Sequence, residues 1–384
     1  MQFRSKFLFI SMFVVASFLS DTIAFAARPA ITSSLLLNAG IEYDSNFYYD
    51  AFNKIGVTTY LVQPGFQVGL STGKSQITFR YTLDANYYNE SGEDNFYGHT
   101  AFLLGDFEMT DRLSLNLSDN YIDTRDSAEL DPLGNIASRD QYYKNTFNSI
   151  FTLDFRPKFA TKFGYMNQIV DYDEDTNEDS LGNLGIFDLI YYMNSSTSLD
   201  LEYHYLDMNY DGPSSDYSAN QLSFVGRKEW RILAMEAAVG YQNREFDQPD
   251  LESVNVVPYR LTLKGATSSG KSRFTLSAAK NFNLYDNNND GYYEAHRFSL
   301  SLAHDLTSRI TLGLSGYFQN SDYINVNRVD NTYKIMADLS YLITEKFSFY
   351  YSVGFENRDS DIASDEYENG VTYGQLRYAY DIAK

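Results

Sequence analysis

Four histidines, His99, His204, His296 and His304, are the residues best suited to acid–base work at neutral pH. An imidazole does that work only beside a hydroxyl or carboxylate partner. His304 precedes Asp305, but neighbours along a strand point to opposite faces, so a regular strand keeps this pair apart. The chain contains no G-x-S-x-G elbow and no H-E-x-x-H pair. A barrel enzyme working through His204 or His304 stays as an alternative; the expectation is a chain without catalytic residues. There is no Cys, which excludes disulfides and thiolate metal sites. No cofactor is expected.

One segment imitates a calcium loop. Asp286, Asn288 and Asp290, followed by Gly291, set oxygen ligands at alternate positions. The twelfth position of such a loop requires Glu, and Arg297 stands there. A solvated turn explains the same residues, because Asn, Asp and Gly tolerate left-handed backbone. No specific metal site is expected. Loose Ca²⁺ or Mg²⁺ bridging to lipopolysaccharide phosphates is the intermediate reading.

The elements that carry these residues are legible as strands. Ile77, Phe79, Tyr81, Leu83, Ala85 and Tyr87 alternate with Thr78, Arg80, Thr82, Asp84 and Asn86. Leu113, Leu115 and Leu117 repeat the pattern, as do Tyr333–Tyr341 and Phe347–Phe355. Period two is the strand signal. No run of 18 apolar residues follows the N-terminal segment, so no spanning helix is expected. The chain holds 34 Tyr and 28 Phe against one Trp, yet its mean hydropathy is negative. A membrane barrel reconciles the two, with apolar side chains toward lipid, polar ones toward the lumen, and aromatic girdles at both interfaces.

The predicted fold is all-β: an antiparallel up-and-down transmembrane barrel of about 18 strands, with 16 as the alternative. Its first strand runs near Leu35–Tyr43 and its last near Gly370–Tyr380. The alternative exists because Leu181–Met193 and Gln221–Trp230 alternate poorly. An N-terminal basic start at Arg4 and Lys6, the apolar run Phe7–Leu19, and Ala24-Phe25-Ala26 read as a cleaved signal peptide over residues 1–26. Residues 27–384 then form the barrel, and the location expected is a Gram-negative outer membrane.

Short and long connections alternate. Thr72-Gly73-Lys74, Thr110-Asp111-Arg112, Arg156-Pro157-Lys158, Thr307-Ser308-Arg309 and Thr344-Glu345-Lys346 read as periplasmic turns. The long loops, Asp171–Asp179 and Ile122–Asp140 among them, are acidic and are assigned to the outside. A net charge of −21 argues against nucleic acid, whose phosphates demand Lys and Arg. Alternation turns Arg80, Asp84, Asp200, Glu202, Glu236, Arg260, Lys264, Arg273, Arg297, Lys334, Asp338 and Arg377 toward the lumen. Charges there set selectivity in a pore; the bland reading is that they pair across strands. The mixture of signs predicts weak ion selectivity. Trp230 and the strand-end Tyr residues read as interface anchors. Tyr317 leans inward and would suit a saccharide track.

Gly40-Ile41-Glu42-Tyr43-Asp44-Ser45-Asn46, Tyr60-Leu61-Val62-Gln63-Pro64-Gly65, and Phe79-Arg80-Tyr81 with Tyr87-Tyr88 resemble the opening strands of the putative β-barrel porin 2 family. The later hairpins match in rhythm. The resemblance implies an outer-membrane barrel serving exopolysaccharide export, with lipid, lipopolysaccharide, polysaccharide and periplasmic export components as partners. It carries over no catalytic residues. Barrels commonly end on an aromatic residue; here Tyr380 is the last, with Asp381–Lys384 beyond it. The leading expectation is a passive conduit accessory to polysaccharide export. A diffusion porin for small solutes and a structural or adhesive surface barrel are the alternatives.

Overall fold

A computed structural model describes residues 30–89, 94–125, 139–173, 178–212, 214–249, 251–284, 292–323 and 327–383. Residues 1–26, expected to be a signal peptide, lie outside them, as do 126–138 and 174–177 of two acidic loops and the calcium-like run Asp286, Asn288 and Asp290.

Among the described residues nineteen strand segments follow one another. They are β1 (Ala30–Asp44), β2 (Val57–Ser71), β3 (Ser75–Tyr88), β4 (Phe96–Glu108), β5 (Leu113–Thr124) and β6 (Tyr142–Asp154). Next come β7 (Phe159–Tyr172), β8 (Asp179–Asn194), β9 (Thr197–Asp211), β10 (Tyr217–Glu229), β11 (Leu233–Phe246), β12 (Val254–Val256) and β13 (Tyr259–Ala266). The circuit ends with β14 (Ser272–Leu284), β15 (Tyr292–Asp305), β16 (Ile310–Tyr323), β17 (Arg328–Leu342), β18 (Phe347–Ser360) and β19 (Tyr367–Ala383). Each pairs antiparallel with its chain neighbour, and β1 pairs with both β2 and β19, so the sheet closes. Both β12 and β13 pair with β11, above and below Val257-Pro258. They are two pieces of one crossing, interrupted where Pro258 has no N–H to give the ladder. The barrel therefore has eighteen spanning strands, as expected.

Closure satisfies every ladder in a medium that offers no water to stray N–H and C=O groups. It also brings both chain ends of the wall to one rim, since Ala30 lies opposite Ser71 and Ser33 opposite Ala383. That rim carries the short turns. Four of them share one device: the Thr72, Thr110, Thr307 and Thr344 hydroxyls each accept backbone N–H groups two and three residues on.

The wall sorts its side chains by alternation. On β18 Phe347, Tyr351, Val353 and Phe355 face outward and stay 39–48% exposed, and Asn357 ends the row. From Phe347 to Phe355, at about 3.4 Å per residue and about 40° of tilt, the band is roughly 21 Å tall, close to a membrane's apolar belt. Above it the outward Tyr hydroxyls donate to polar neighbours: Tyr165 to Asn183, Tyr203 to Asn220 and Tyr241 to Asn255, at 2.6–2.7 Å. His99 and His296 belong to this collar, against the Tyr81 and Tyr259 hydroxyls. At the lower rim the Lys228 ammonium sits 6.0 Å from the Trp230 ring and the Lys346 ammonium 4.4 Å from Tyr380.

Two of the three motifs that carry the family resemblance have mechanical reasons. Pro64 falls where the β2–β3 pairing skips two positions, since it cannot donate. A Cβ on Gly65 would meet the Tyr81 carbonyl at 2.5 Å, and one on Gly40 the Gly374 carbonyl at 2.7 Å. Glycine permits both close backbone approaches.

Candidate functional site

The inward face of the wall carries most of the polar and charged side chains that the described strands enclose. Register places all twelve sequence-selected charges on it. Arg227 lies opposite Glu236, Lys264 opposite Thr275, Arg297 opposite Gln319, Lys334 opposite Glu356, and Arg377 opposite Asn38. What alternation does not disclose is how these groups are joined.

The densest group spans β8 to β13. Arg227 is ion-paired with Asp200, and its other nitrogens reach Glu202 and Glu236 at 2.8 Å each. Arg260 binds Glu236 at 2.7 Å and lies 3.7 Å from Glu202. His204 faces Asp188 at 4.0 Å in the row beside them. Two guanidinium groups thus hold three carboxylates on neighbouring strands. A buried carboxylate of this kind persists only when paired. Arg227, Asp188 and His204 are the members that sequence reasoning passed over as lumen charges.

Toward β19 the charges are held by aromatic and amide groups. The Arg297 guanidinium lies 3.7 Å from the Tyr317 ring centroid. The Tyr317 and Tyr367 hydroxyls donate to Glu356, at 3.3 and 2.9 Å, and Lys334 binds the same carboxylate at 2.8 Å. Asp338 accepts from the Tyr350 hydroxyl at 2.6 Å, while Arg377 stacks 4.5 Å from the Tyr350 ring. Arg273 forks onto Asp305 at 2.9 and 3.1 Å. On β3, Arg80 donates to Gln67, and Asp84 accepts from Gln63 and Thr100. Lys264 is exposed close to the short-turn rim.

Burial along this face is uneven. Inward side chains at the outer ends of the strands, among them Tyr142, Tyr293, Tyr323 and Tyr367, are at most 4% exposed. Arg328, Asp330 and Arg358 form a buried ion-paired knot at the same height, joined by Ser360 and Asp365. Gln76, Arg80, Asp106 and Glu108, nearer the short turns, are exposed. The lumen face is open near the short turns at β3, β4 and β13, packed at the outer ends of the strands, and buried again near the β8–β9 turn, where Asp188, Ser198, Asp200 and Glu202 are at most 9% exposed.

Among the described residues His304 has no complete relay. His304 Nδ1 is 2.8 Å from Ser272 Oγ on the outward face, and Asp305, on the opposite face, is engaged with Arg273. No carboxylate among the described residues orients that imidazole, so the relay that activates a serine is incomplete. Among the described residues no three His, Cys, Asp or Glu side chains group to hold a metal. The arrangement offers a mixed-charge, partly exposed wall.

Residues 230–380 match the model of the putative β-barrel porin 2 family. No curated protein matches the chain. Among solved structures, Pseudomonas aeruginosa OccK7 (OpdD) superposes with a TM-score of 0.53 at 11% identity, covering 93% of this chain and 100% of that one. Acinetobacter baumannii OccAB4 gives 0.51 at 9% identity, over 92% and 98%. A BenF-like porin from Pseudomonas fluorescens Pf-5 gives 0.51 at 9%, over 92% and 99%. At these identities the likeness is one of fold.

Proposed function

We propose that the chain is a porin-type outer-membrane β-barrel whose lumen is a passive diffusion channel for small hydrophilic solutes; the family match over residues 230–380 and the closed eighteen-stranded barrel support this reading. The observation that carries this reading is the inward face itself. It carries polar side chains on most strands, its charges are tied to the wall, and it is exposed near the short turns at β3, β4 and β13. A wall of this kind holds water, while the outward apolar rows seal against lipid. An eighteen-stranded circumference suits an aqueous path. Lipid and lipopolysaccharide around the Tyr–Asn collar are the partners this reading requires. No step in it needs a cofactor or a catalytic group.

Polysaccharide export, the leading expectation from sequence, gains no support from the comparisons, which name porins. Its structural hint weakens as well. Tyr317 has one ring face covered by Arg297 and its hydroxyl committed to Glu356, so at most one ring face is left for a sugar to stack on. The small-solute alternative is the better supported reading.

Liposome swelling tests it. Vesicles carrying refolded protein should swell in small sugars and amino acids at rates that fall with solute size. Folded, heat-modifiable protein that leaves vesicles no leakier than empty ones would return the barrel to the structural or adhesive reading.

A further inference from the structure

The first loop, residues 45–56, turns into the barrel mouth. Asn46 is fully buried at its root. Its amide nitrogen donates to the Asp50 and Glu368 carbonyls at 2.9 and 3.1 Å, and its carbonyl oxygen accepts the Asp50 N–H at 3.0 Å. Phe47, 3% exposed, meets the Tyr88 ring edge-on at 5.6 Å, and Tyr49 meets Tyr367 at 5.0 Å. Tyr88 and Tyr367 face inward by register, opposite Thr59 and Arg358. The loop is thus packed on the lumen side of β3 and β19.

A second connection reaches the same place. Arg139, just before β6, is ion-paired with Asp44 at the end of β1. It also donates to the Phe47 carbonyl at 2.8 Å, and its guanidinium lies 4.2 Å from the Phe47 ring centroid. The two charged side chains are only 14% and 2% exposed. Removing both charges from water is costly, and such pairs persist where they fix one arrangement against others. What this pair fixes is the position of the first loop across the outer mouth.

We propose that the first loop is the size-selecting constriction of the channel, and that Arg139 with Asp44 is the latch that holds it there. The proposal rests on the diffusion reading above and adds which element limits the solute.

The test compares wild type, Arg139→Glu, Asp44→Arg and the double exchange Asp44→Arg/Arg139→Glu. Single-channel conductance is read in planar bilayers, and oligosaccharide permeation in vesicles. Folding of each variant is checked by heat-modifiable mobility. Each single variant should conduct more and admit longer oligosaccharides, and the double exchange should restore wild-type values. Phe47→Ala, which removes the stack without touching charge, should act in the same direction if a charged variant does not fold. A conducting wild type whose variants share its conductance and size limit overturns the latch and leaves the channel reading standing. Silence from wild type and every variant overturns the channel reading, and the latch with it.

Discussion

Arg227 is the residue on which most of the lumen wall's charge order depends. Its guanidinium is 31% exposed and touches three carboxylates, of which Asp200 and Glu202 have side chains only 1% and 9% exposed. Arg227→Gln leaves those two without their main counter-charge. Breaking a fully buried pair costs about 3–5 kcal/mol, and partial solvation of Arg227 lowers that to about 2–3 kcal/mol. The urea midpoint for unfolding in detergent should fall accordingly; an unchanged midpoint would mean Arg260 alone suffices. Asp50 gives a different kind of residue prediction. Backbone N–H groups of Asn53 and Phe52 hold its carboxyl below the ordinary aspartate range. A depressed pKa stabilises the folded loop above the unfolded value and loses that contribution as pH falls through the folded one. Hydrogen exchange at residues 45–56 should therefore rise below about pH 4, and Asp50→Asn should show the faster exchange already at neutral pH. Of these residues, sequence alternation disclosed the inward direction of Glu202 and Glu236. It passed over Arg227 because its segment mixes faces: Val225 points in and Asn220 points out, so period two is blurred where the charge matters.

At the scale of elements the same blurring explains the doubt between sixteen and eighteen strands. In β8, Leu184, Ile186 and Ile190 face the lumen while Phe187 and Leu189 face lipid, so both sides are apolar and alternation fades. Backbone pairing still forms, because a strand left out would break closure. The short turns were legible for a stronger reason, since the Thr-x-Lys/Arg sequence carries its own hydrogen bonds. Thr344 shows the device, with its hydroxyl accepting from Lys346 N–H at 3.2 Å and Phe347 N–H at 3.1 Å. Thr344→Val keeps shape and removes the acceptor. Each such bond contributes about 0.5–1.5 kcal/mol, reduced at an exposed turn where water substitutes. A loss of about 1 kcal/mol in detergent unfolding is expected, with refolding into bilayers slowed rather than abolished. The first-loop anchor was visible only as a motif: the run ending in Asn46 reads as a loop signal, and no pattern in sequence announces that Asn369, whose side-chain oxygen accepts the Asn46 N–H at 3.1 Å, and Arg139 complete it.

For the whole molecule, the question is whether a chain of net charge −21 makes a cation channel. The charge distribution argues against it. By sequence, the long loops hold many of the acidic residues, and a loop charge more than about 8 Å from the lumen is largely screened from it at physiological salt. Along the lumen, Arg227 and Arg260 face three carboxylates, Arg273 faces Asp305, and Lys334 faces Glu356. A passing ion sees paired dipoles rather than a ring of one sign, and selectivity follows unpaired charge near the ion's path. Under a tenfold KCl gradient the reversal potential should lie near zero, with a K⁺ to Cl⁻ permeability ratio within about threefold of unity. Arg227→Gln should move that potential toward the value for cations, because it frees carboxylates on the lumen face. Neutralising an outer-loop carboxylate such as Asp361 should not move it. Strong cation selectivity in wild type, abolished by removing loop charges, would place the selecting field at the mouth instead of along the wall.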